Sequence, residues 1–444
     1  MTDSITHLSQ VFFALALFTG VGYFILNVRK IIRNINLGRK IDRTDNPEKR
    51  WLLMARVALG QSKMVVRPVA GFLHILVYLG FIIINLEMLE ILIDGLFGTH
   101  RVFSFLGGFY DFLIGSFEIL ALLVIVSVII FWIRRNITKI QRFWKPELKG
   151  WPRKDADTIL YIEFILMVFF LGMNAADYYA HSKQGLELAG AFPISQNLFF
   201  FFDSFGVVTL QVLERTFWWL HILGVLFFMN YLYWSKHFHI ISAFPNVWFA
   251  KLRPKGEMDN LESVKAEVKM MMDPNADPFA APAAGTEIAE LETFGAKDVF
   301  DLNRVQLLNA YSCTECGRCT DVCPANITGK KLSPRKIMMD TRDRMEDIGA
   351  NIDKHGKFQD DGKKLIGDYI TAEEIWACTS CNACVEACPI NIDPLSIILD
   401  IRRYLVMEES AAPNELNLMM QNVENNGAPW QFNNADRLNW ANES

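Results

Sequence analysis

The chain has 444 residues, enough for two or three domains, and its 44 basic and 49 acidic residues leave a net charge of −5. So slight an acidic balance implies no nucleic-acid footprint. The long apolar runs all lie before residue 235 and all eight cysteines after residue 312, which argues against one soluble core.

The start of the chain is acidic and polar, without the basic region or small-residue cleavage site of a signal peptide. Five runs are long and apolar enough to cross a bilayer, which takes about 20 residues. They are Gln10 to Val28, Val69 to Ile93, Phe112 to Ile133, Thr158 to Tyr179 and Val207 to Trp234. Lys and Arg set the orientation. Arg29 to Arg67 carries eleven and Arg134 to Lys154 eight, whereas the opposite loops carry only Arg101 and Lys183. The amino terminus is therefore expected outside, with the basic loops and everything after the fifth span in the cytoplasm. Ala191 to Phe205, with Pro193 and four consecutive Phe from Phe199, suits the outer interface.

Ionisable groups inside a membrane span read as functional by default. His221 lies in the fifth span and His239 at its inner end, 18 residues or five turns apart, so a continuous helix puts both on one face about 27 Å apart. His237 would then point nearly the opposite way. Two axial imidazoles at two depths are what stacked b-type haems require; satisfied core histidines are the plain alternative. His74, early in the second span, matches His239 in depth, and the two make an inner haem site. Ten residues past His74 stands Ile84, so the outer partner of His221 would be His181, with Asp177 orienting its ring, unless His181 is only an interfacial polar group. One haem is expected and a second is open. Glu87 and Glu90 lie deep enough in the second span to take protons from a quinol; of the other acids in or near the outer half, Asp94, Asp111, Glu118 and Glu214, the first two read mainly as interfacial. Arg67, Arg215 and Lys236 are candidate propionate partners or plain anchors.

After Pro245 the composition changes. Glu257 to Met272 is a charged helical pattern, and Asp273 to Thr286, with three prolines, reads as a flexible tether. Two runs of C-x2-C-x2-C-x3-C-P follow: Cys313, Cys316, Cys319, Cys323-Pro324 and Cys378, Cys381, Cys384, Cys388-Pro389. This is the two-cluster ferredoxin spacing, in which the fourth Cys of each run ligates the other cube. The expected sets are Cys313, Cys316, Cys319 with Cys388, and Cys378, Cys381, Cys384 with Cys323. Zinc knuckles use separated pairs and do not repeat on this rhythm. Oxygen-sensitive cubes with no spare cysteine suit a reducing compartment. Gly317 and Asn382 supply turns where the backbone passes close to a cube. The 54 residues from Pro324 to Ala377 read as helix, with Ser333-Pro334 opening a run to about Glu346 and Thr371-x-x-Glu374 forming a capping box. Leu395 to Met407 is a further amphipathic helix.

The spans, with Trp219-x-His221 and Ser235-Lys236-x-x-His239, resemble the haem b membrane (gamma) subunit of respiratory nitrate reductase. The soluble half, with its two cysteine runs, Gly329-Lys-Lys-Leu-Ser333-Pro-Arg-Lys and Trp376-Ala-Cys378, resembles heterodisulfide-reductase-like iron–sulfur subunits. The fused form is similar to bacterial membrane (Fe–S)-binding reductases. The gamma subunit takes two histidines from its second span, and only His74 matches. Related fused proteins continue into cysteine-rich CCG domains, whereas no cysteine follows Cys388 in this chain.

The expectation is thus an all-α protein, a five-helix transmembrane bundle followed by a helical dicluster ferredoxin domain. Residues 1–245 form the membrane haem b domain, 246–293 a cytoplasmic linker and 294–444 the two-[4Fe–4S] domain. It would sit in the bacterial inner membrane and pass electrons between quinone, haem b, the two clusters and a separate cytoplasmic catalytic subunit, a CCG-domain protein by the resemblance. The alternatives are a self-contained thiol/disulfide reductase and a redox-sensing membrane module.

Overall fold

A computed structural model describes residues 2–254, 256–274 and 293–442. The five apolar runs are helices: α1 (Thr2–Ile35), α2 (Pro68–Phe97), α3 (Gly108–Asn136), α4 (Trp151–Gln184) and α5 (Val207–Tyr231). Each is long and apolar enough to cross a membrane. Phe12, Phe18, Phe72 and Phe81 point out of the bundle, which suits lipid and not water. The core between the helices is apolar, with Phe13, Ile84, Phe117, Phe170, Trp218 and Ile222 in one cluster. α4 and α5 pack along most of their length, while α1 closes the bundle against α2 and α5. The aromatic stretch after α4 forms a turn at Ser195–Asn197 and a short helix at Phe199–Phe202, with Phe200 and Phe201 exposed.

The fifth span does not run on to His239. After Tyr231 the helix tightens over Leu232–Trp234, and Ser235 is extended (φ −112°, ψ 144°). The Ser235 hydroxyl accepts from the His237 amide, and Asp155 on α4 accepts from the Lys236 amide at 3.1 Å and the Tyr231 hydroxyl at 2.7 Å. These polar contacts replace the lost intrahelical bonds and hold the chain in a bend. A new helix, α6 (His239–Trp248), starts there. The expectation that His221 and His239 share one helix face is therefore overturned, because Asp155, a buried carboxylate far upstream, stabilises the break.

The second half is also helical, with no strand among the described residues. α7 (Arg304–Ser312) starts at Asn303, whose side chain accepts from the Val305 and Gln306 amides in a capping box. α8 (Pro334–His355) starts at Ser333, as expected, but continues past Glu346 until Gly356 turns left-handed (φ 78°). α9 (Pro394–Met407) is capped by Asp393. The Thr371–Glu374 capping box forms and opens the helix Ala372–Trp376. The charged pattern before the tether is a helix at Glu262–Met272. Of the expected tether, residues 275–286 lie outside the described residues.

This half is docked on one end of the bundle. α1 extends beyond its apolar run, where Asn34 Nδ2 donates to the Tyr311 hydroxyl at 2.8 Å and Arg33 pairs with Asp353. Gly349 on α8 allows that approach, since a Cβ there would lie 2.6 Å from the Asn34 side chain. Arg335, fully buried, pairs with Glu147 of the α3–α4 connection at 2.7 Å and donates to the Arg142 carbonyl. Removing one partner of a buried pair leaves the other charge uncompensated, at a cost of about 3–5 kcal/mol. Glu147→Ala is expected to loosen the two halves, with faster proteolysis near residue 254 and a lower unfolding temperature in detergent. Unchanged proteolysis would show that this pair does not hold the interface.

Candidate functional site: two thiol cages and an imidazole pair

The two cysteine loops share one backbone geometry. Glu315 (φ 55°) and Gly317 (φ 72°) take left-handed conformations in the first, and Ser380 (φ 56°) and Asn382 (φ 58°) take them at the matching positions of the second. Two such residues flanking the second Cys curl each loop so that its thiols face inward. At Gly317 a side chain is excluded twice over, because a Cβ would also lie 2.4 Å from the Arg335 guanidinium. The Ser380 amide reaches Cys378 Sγ at 3.4 Å and the Ile392 amide reaches Cys388 Sγ at 3.2 Å.

One cavity is lined by Cys313, Cys316, Cys319 and Cys388, and also by Cys384. The other is lined by Cys323, Cys378, Cys381 and Cys384. The fourth thiol of each run thus sits with the three of the other. Among the described residues no three or more of His, Cys, Asp and Glu are arranged around a single metal ion. Burial pushes the Cys313 thiol up to about 12 and the Cys388 thiol up to about 11. Thiolates form at such sites when a metal centre displaces the proton. Eight inward soft donors around two cavities fit two polynuclear iron–sulfur groups. Cations stand beside each cage. Arg318 donates to the Lys63 carbonyl and Lys63 to the Cys388 carbonyl, both at 2.9 Å, and Arg402 donates to the Cys378 carbonyl at 2.5 Å. Cys381 is the exposed member of the eight.

On the membrane side, His74 from α2 and His239 at the start of α6 face each other with ring centres 6.5 Å apart. An iron held by two imidazoles at metal–nitrogen distances of about 2 Å puts the ring centres about 6 Å apart. The His74 Nδ1 atom is buried without a hydrogen-bond partner, and His239 Nδ1 lies 3.3 Å from the Lys236 carbonyl. His237 does not point away. Its ring is 5.2 Å from that of His239 and its Nε2 is 3.5 Å from Glu163, because the bend at Ser235 abolishes the helical register. A cavity beside His239 is lined by Arg134, Arg135, Arg142 and Lys236, which suit propionate groups, and by Thr314. Thr314 also lines the first thiol cage, so one residue forms a wall of both.

The structure does not bring His181 and His221 together. His221 Nδ1 is 3.0 Å from the Leu166 carbonyl on α4, and His181 lies 15 residues further along that helix, about 22 Å away. The pairing expected for an outer haem is overturned by that separation. His221 is instead packed in the apolar core, its ring 5.8 Å from Phe170 and its neighbours Trp218 and Ile222 in the cluster that holds Ile84. His181 Nδ1 meets Asp177 Oδ1 at 3.0 Å, and its ring lies 6.4 Å from that of His100, a loop residue with no helical pattern to mark it. Glu90 accepts from the Phe103 amide and the Tyr110 hydroxyl, each at 2.8 Å, while Glu87 is buried with one oxygen unpartnered.

Sequence reasoning also missed Glu315. It occupies the first cysteine loop yet pairs with Lys236 of the bend and, at 2.7 Å, with Arg342. Burial favours its protonated form, but Lys236 and Arg342 hold its carboxyl below the usual range.

The 4Fe–4S dicluster domain model matches residues 312–392, which hold both cages. The chain is 28% identical to the probable iron–sulfur-binding oxidoreductase FadF of Bacillus subtilis, over 95% of this chain and 59% of that protein. It is 26% identical to the EtfAB:quinone oxidoreductase of Syntrophomonas wolfei, over 91% of this chain and 55% of that protein. It is also 29% identical to one of the subunits of the ferredoxin/F420H2-dependent CoB–CoM heterodisulfide reductase of Methanosarcina acetivorans, over 27% of this chain and 60% of that protein. The chain thus spans a little over half the length of the first two. No solved structure matches it. The chain thus joins five helices long and apolar enough to cross a membrane to a region that matches the 4Fe–4S dicluster domain model.

Proposed function

We propose that this chain is the electron-transfer subunit of a quinone-linked membrane oxidoreductase, carrying one haem b and two [4Fe–4S] clusters and exchanging electrons with a separate cytoplasmic catalytic subunit. One observation carries the reading: Thr314 walls both the cavity beside His239 and the cage around Cys313, Cys316, Cys319 and Cys388. The haem and the clusters would supply one-electron redox chemistry, and the protein supplies ligation, spacing and exclusion of water. His74 and His239 would hold the haem. The two thiol cages would hold the clusters. The order is then imidazole pair, first cage, second cage. The second cage, with Cys381 at the surface, would face the partner. The named function of the Syntrophomonas relative supports a quinone. The likeness to part of a heterodisulfide reductase supports a partner, a CCG-domain protein by the family resemblance.

The domain limits and orientation follow from the same reading. Residues 1–245 would be the membrane domain of the bacterial inner membrane, with the amino terminus outside. Residues 246–293 would be the linker and 294–444 the cytoplasmic cluster domain. A self-contained thiol/disulfide reductase needs a substrate-facing cysteine, and all eight of this chain line the cages. In proteoliposomes holding the purified chain, a menaquinol analogue is expected to reduce haem and clusters without any partner, while turnover with a physiological acceptor requires one. Reduction of both centres by dithionite but not by the quinol, or turnover of a disulfide by the chain alone, would overturn the proposal.

A further inference from the structure

The half of the bundle away from the cluster domain holds a polar chain that the electron path does not use. Its inner end is Glu87 on α2, buried, with Oε2 unpartnered. One turn on, Glu90 accepts from the Tyr110 hydroxyl of α3, a group that can both take and give a proton. Tyr110 also lies 3.3 Å from Arg101 Nη1. Arg101 in turn holds Asp177 of α4 at 2.8 Å, and Asp177 Oδ1 meets His181 Nδ1 at 3.0 Å. The His181 side chain is 30% exposed and stands beside the exposed His100 at the end of the bundle. Glu214, paired with Arg215, flanks the exit on α5.

Neighbouring acids show by contrast which members are free to act. Glu118 accepts from the Ile194 and Ser195 amides and the Ser195 hydroxyl, and Asp94 accepts from the Arg101 and Val102 amides and the Thr99 hydroxyl. Each of these two is fixed by two backbone amides, whereas Glu90 takes one, from Phe103, and turns its other oxygen to the Tyr110 hydroxyl. Glu87 has one oxygen open, and Asn174, whose Oδ1 accepts from Arg101 at 3.2 Å, has a buried Nδ2 without a partner. A buried carboxylate oxygen on Glu87 and, beside the Arg101 guanidinium, a buried amide on Asn174 are left open, and a ligand or water would satisfy them. Tyr110, Asn174 and Asp177 around Arg101 offer the two to four polar partners that a bridging water needs.

We infer that this chain of polar groups is the proton route of the quinone site, entered at Glu87 and Glu90 and leaving through the Asp177–His181 pair at the membrane face opposite the cluster domain. The inference rests on the proposed quinone reaction. Oxidation of a quinol to the quinone releases two electrons, taken up singly by the haem and clusters, and two protons from its ring hydroxyls. Glu87 and Glu90 accept those protons and pass them outward. Arg101 carries none; it positions Tyr110 and Asp177. In quinone reduction the same atoms move the other way.

The test uses the full chain in vesicles with an impermeant pH indicator on the face opposite the clusters, and stopped-flow haem reduction by a menaquinol analogue. Wild type is expected to acidify that face as its haem is reduced. Glu87→Gln and Asp177→Asn are each expected to slow quinol-driven haem reduction by about 100-fold, the lower range for lost acid–base assistance. Their haem content and dithionite-reduced spectrum should stay as in wild type, which a structural defect would alter. Tyr110→Phe should slow the same step if either variant folds poorly. Wild-type rates in all three, or acidification on the cluster side, would overturn the route while leaving the quinone reading intact. Failure of the wild-type haem to respond to quinol, with normal dithionite reduction, would overturn both.

Discussion

Cys388→Ser is expected to lose the same half of the iron as Cys313→Ser, and Cys323→Ser the same half as Cys378→Ser. Each variant should fall from about eight non-haem irons per chain to about four. The reason is the crossing of the two runs, which puts Cys388 in the cage of Cys313, Cys316 and Cys319, and Cys323 in the cage of Cys378, Cys381 and Cys384. A serine hydroxyl is a harder and far less acidic donor than a thiolate, so the site loses a ligand and keeps its shape. Because the two cages share a wall at Cys384 and the core around them is continuous, the surviving cluster should persist. Paramagnetic resonance of the reduced protein should change from the broadened spectrum of two interacting clusters to that of one. If Cys388→Ser instead groups with Cys378→Ser, the crossing assigned to the loops is wrong.

His74→Ala and His239→Ala are each expected to abolish the b-type absorption of the membrane half, whereas His221→Ala and His181→Ala retain it. The pair at 6.5 Å has the spacing that a shared iron demands. His221, with Nδ1 on the Leu166 carbonyl and its ring against Phe170, serves the core. His221→Ala should therefore act on stability, leaving a cavity that costs about 2–4 kcal/mol. Optical spectra and haem extraction on the four variants decide the matter. Loss of haem in His221→Ala, with the protein still folded, would assign that residue a ligand role.

What could be read from the residues alone was what depends on near neighbours. The cysteine rhythm defines two loops because three thiols within seven positions have few ways to face one centre, and Gly317 and Asn382 mark the left-handed turns that such loops require. The spans are legible because a bilayer imposes length and apolarity on each helix separately. The Ser333 and Thr371 caps are local for the same reason. The histidine geometry was not legible, because helical periodicity assumes an unbroken helix. Asp155, distant in sequence, stabilises a break at Ser235 that turns His237 towards His239 and detaches both from the register of His221. His100, Arg101 and Glu315 escaped notice because they act from loops, where no periodicity signals a face. Docking was hidden too. Arg335–Glu147 and Glu315–Lys236 join segments whose polar residues look, in sequence, like ordinary solvent-facing charge.

The claim that a haem-bearing bundle is joined to two clusters in one chain is tested most directly by a reduced-minus-oxidised visible spectrum of the purified protein, with haem and non-haem iron quantified per chain. A b-type spectrum from one haem is expected, together with about eight non-haem irons. Eight irons without any b-type absorption would contradict it, leaving His74 and His239 as two packed histidines and the bundle as a plain anchor.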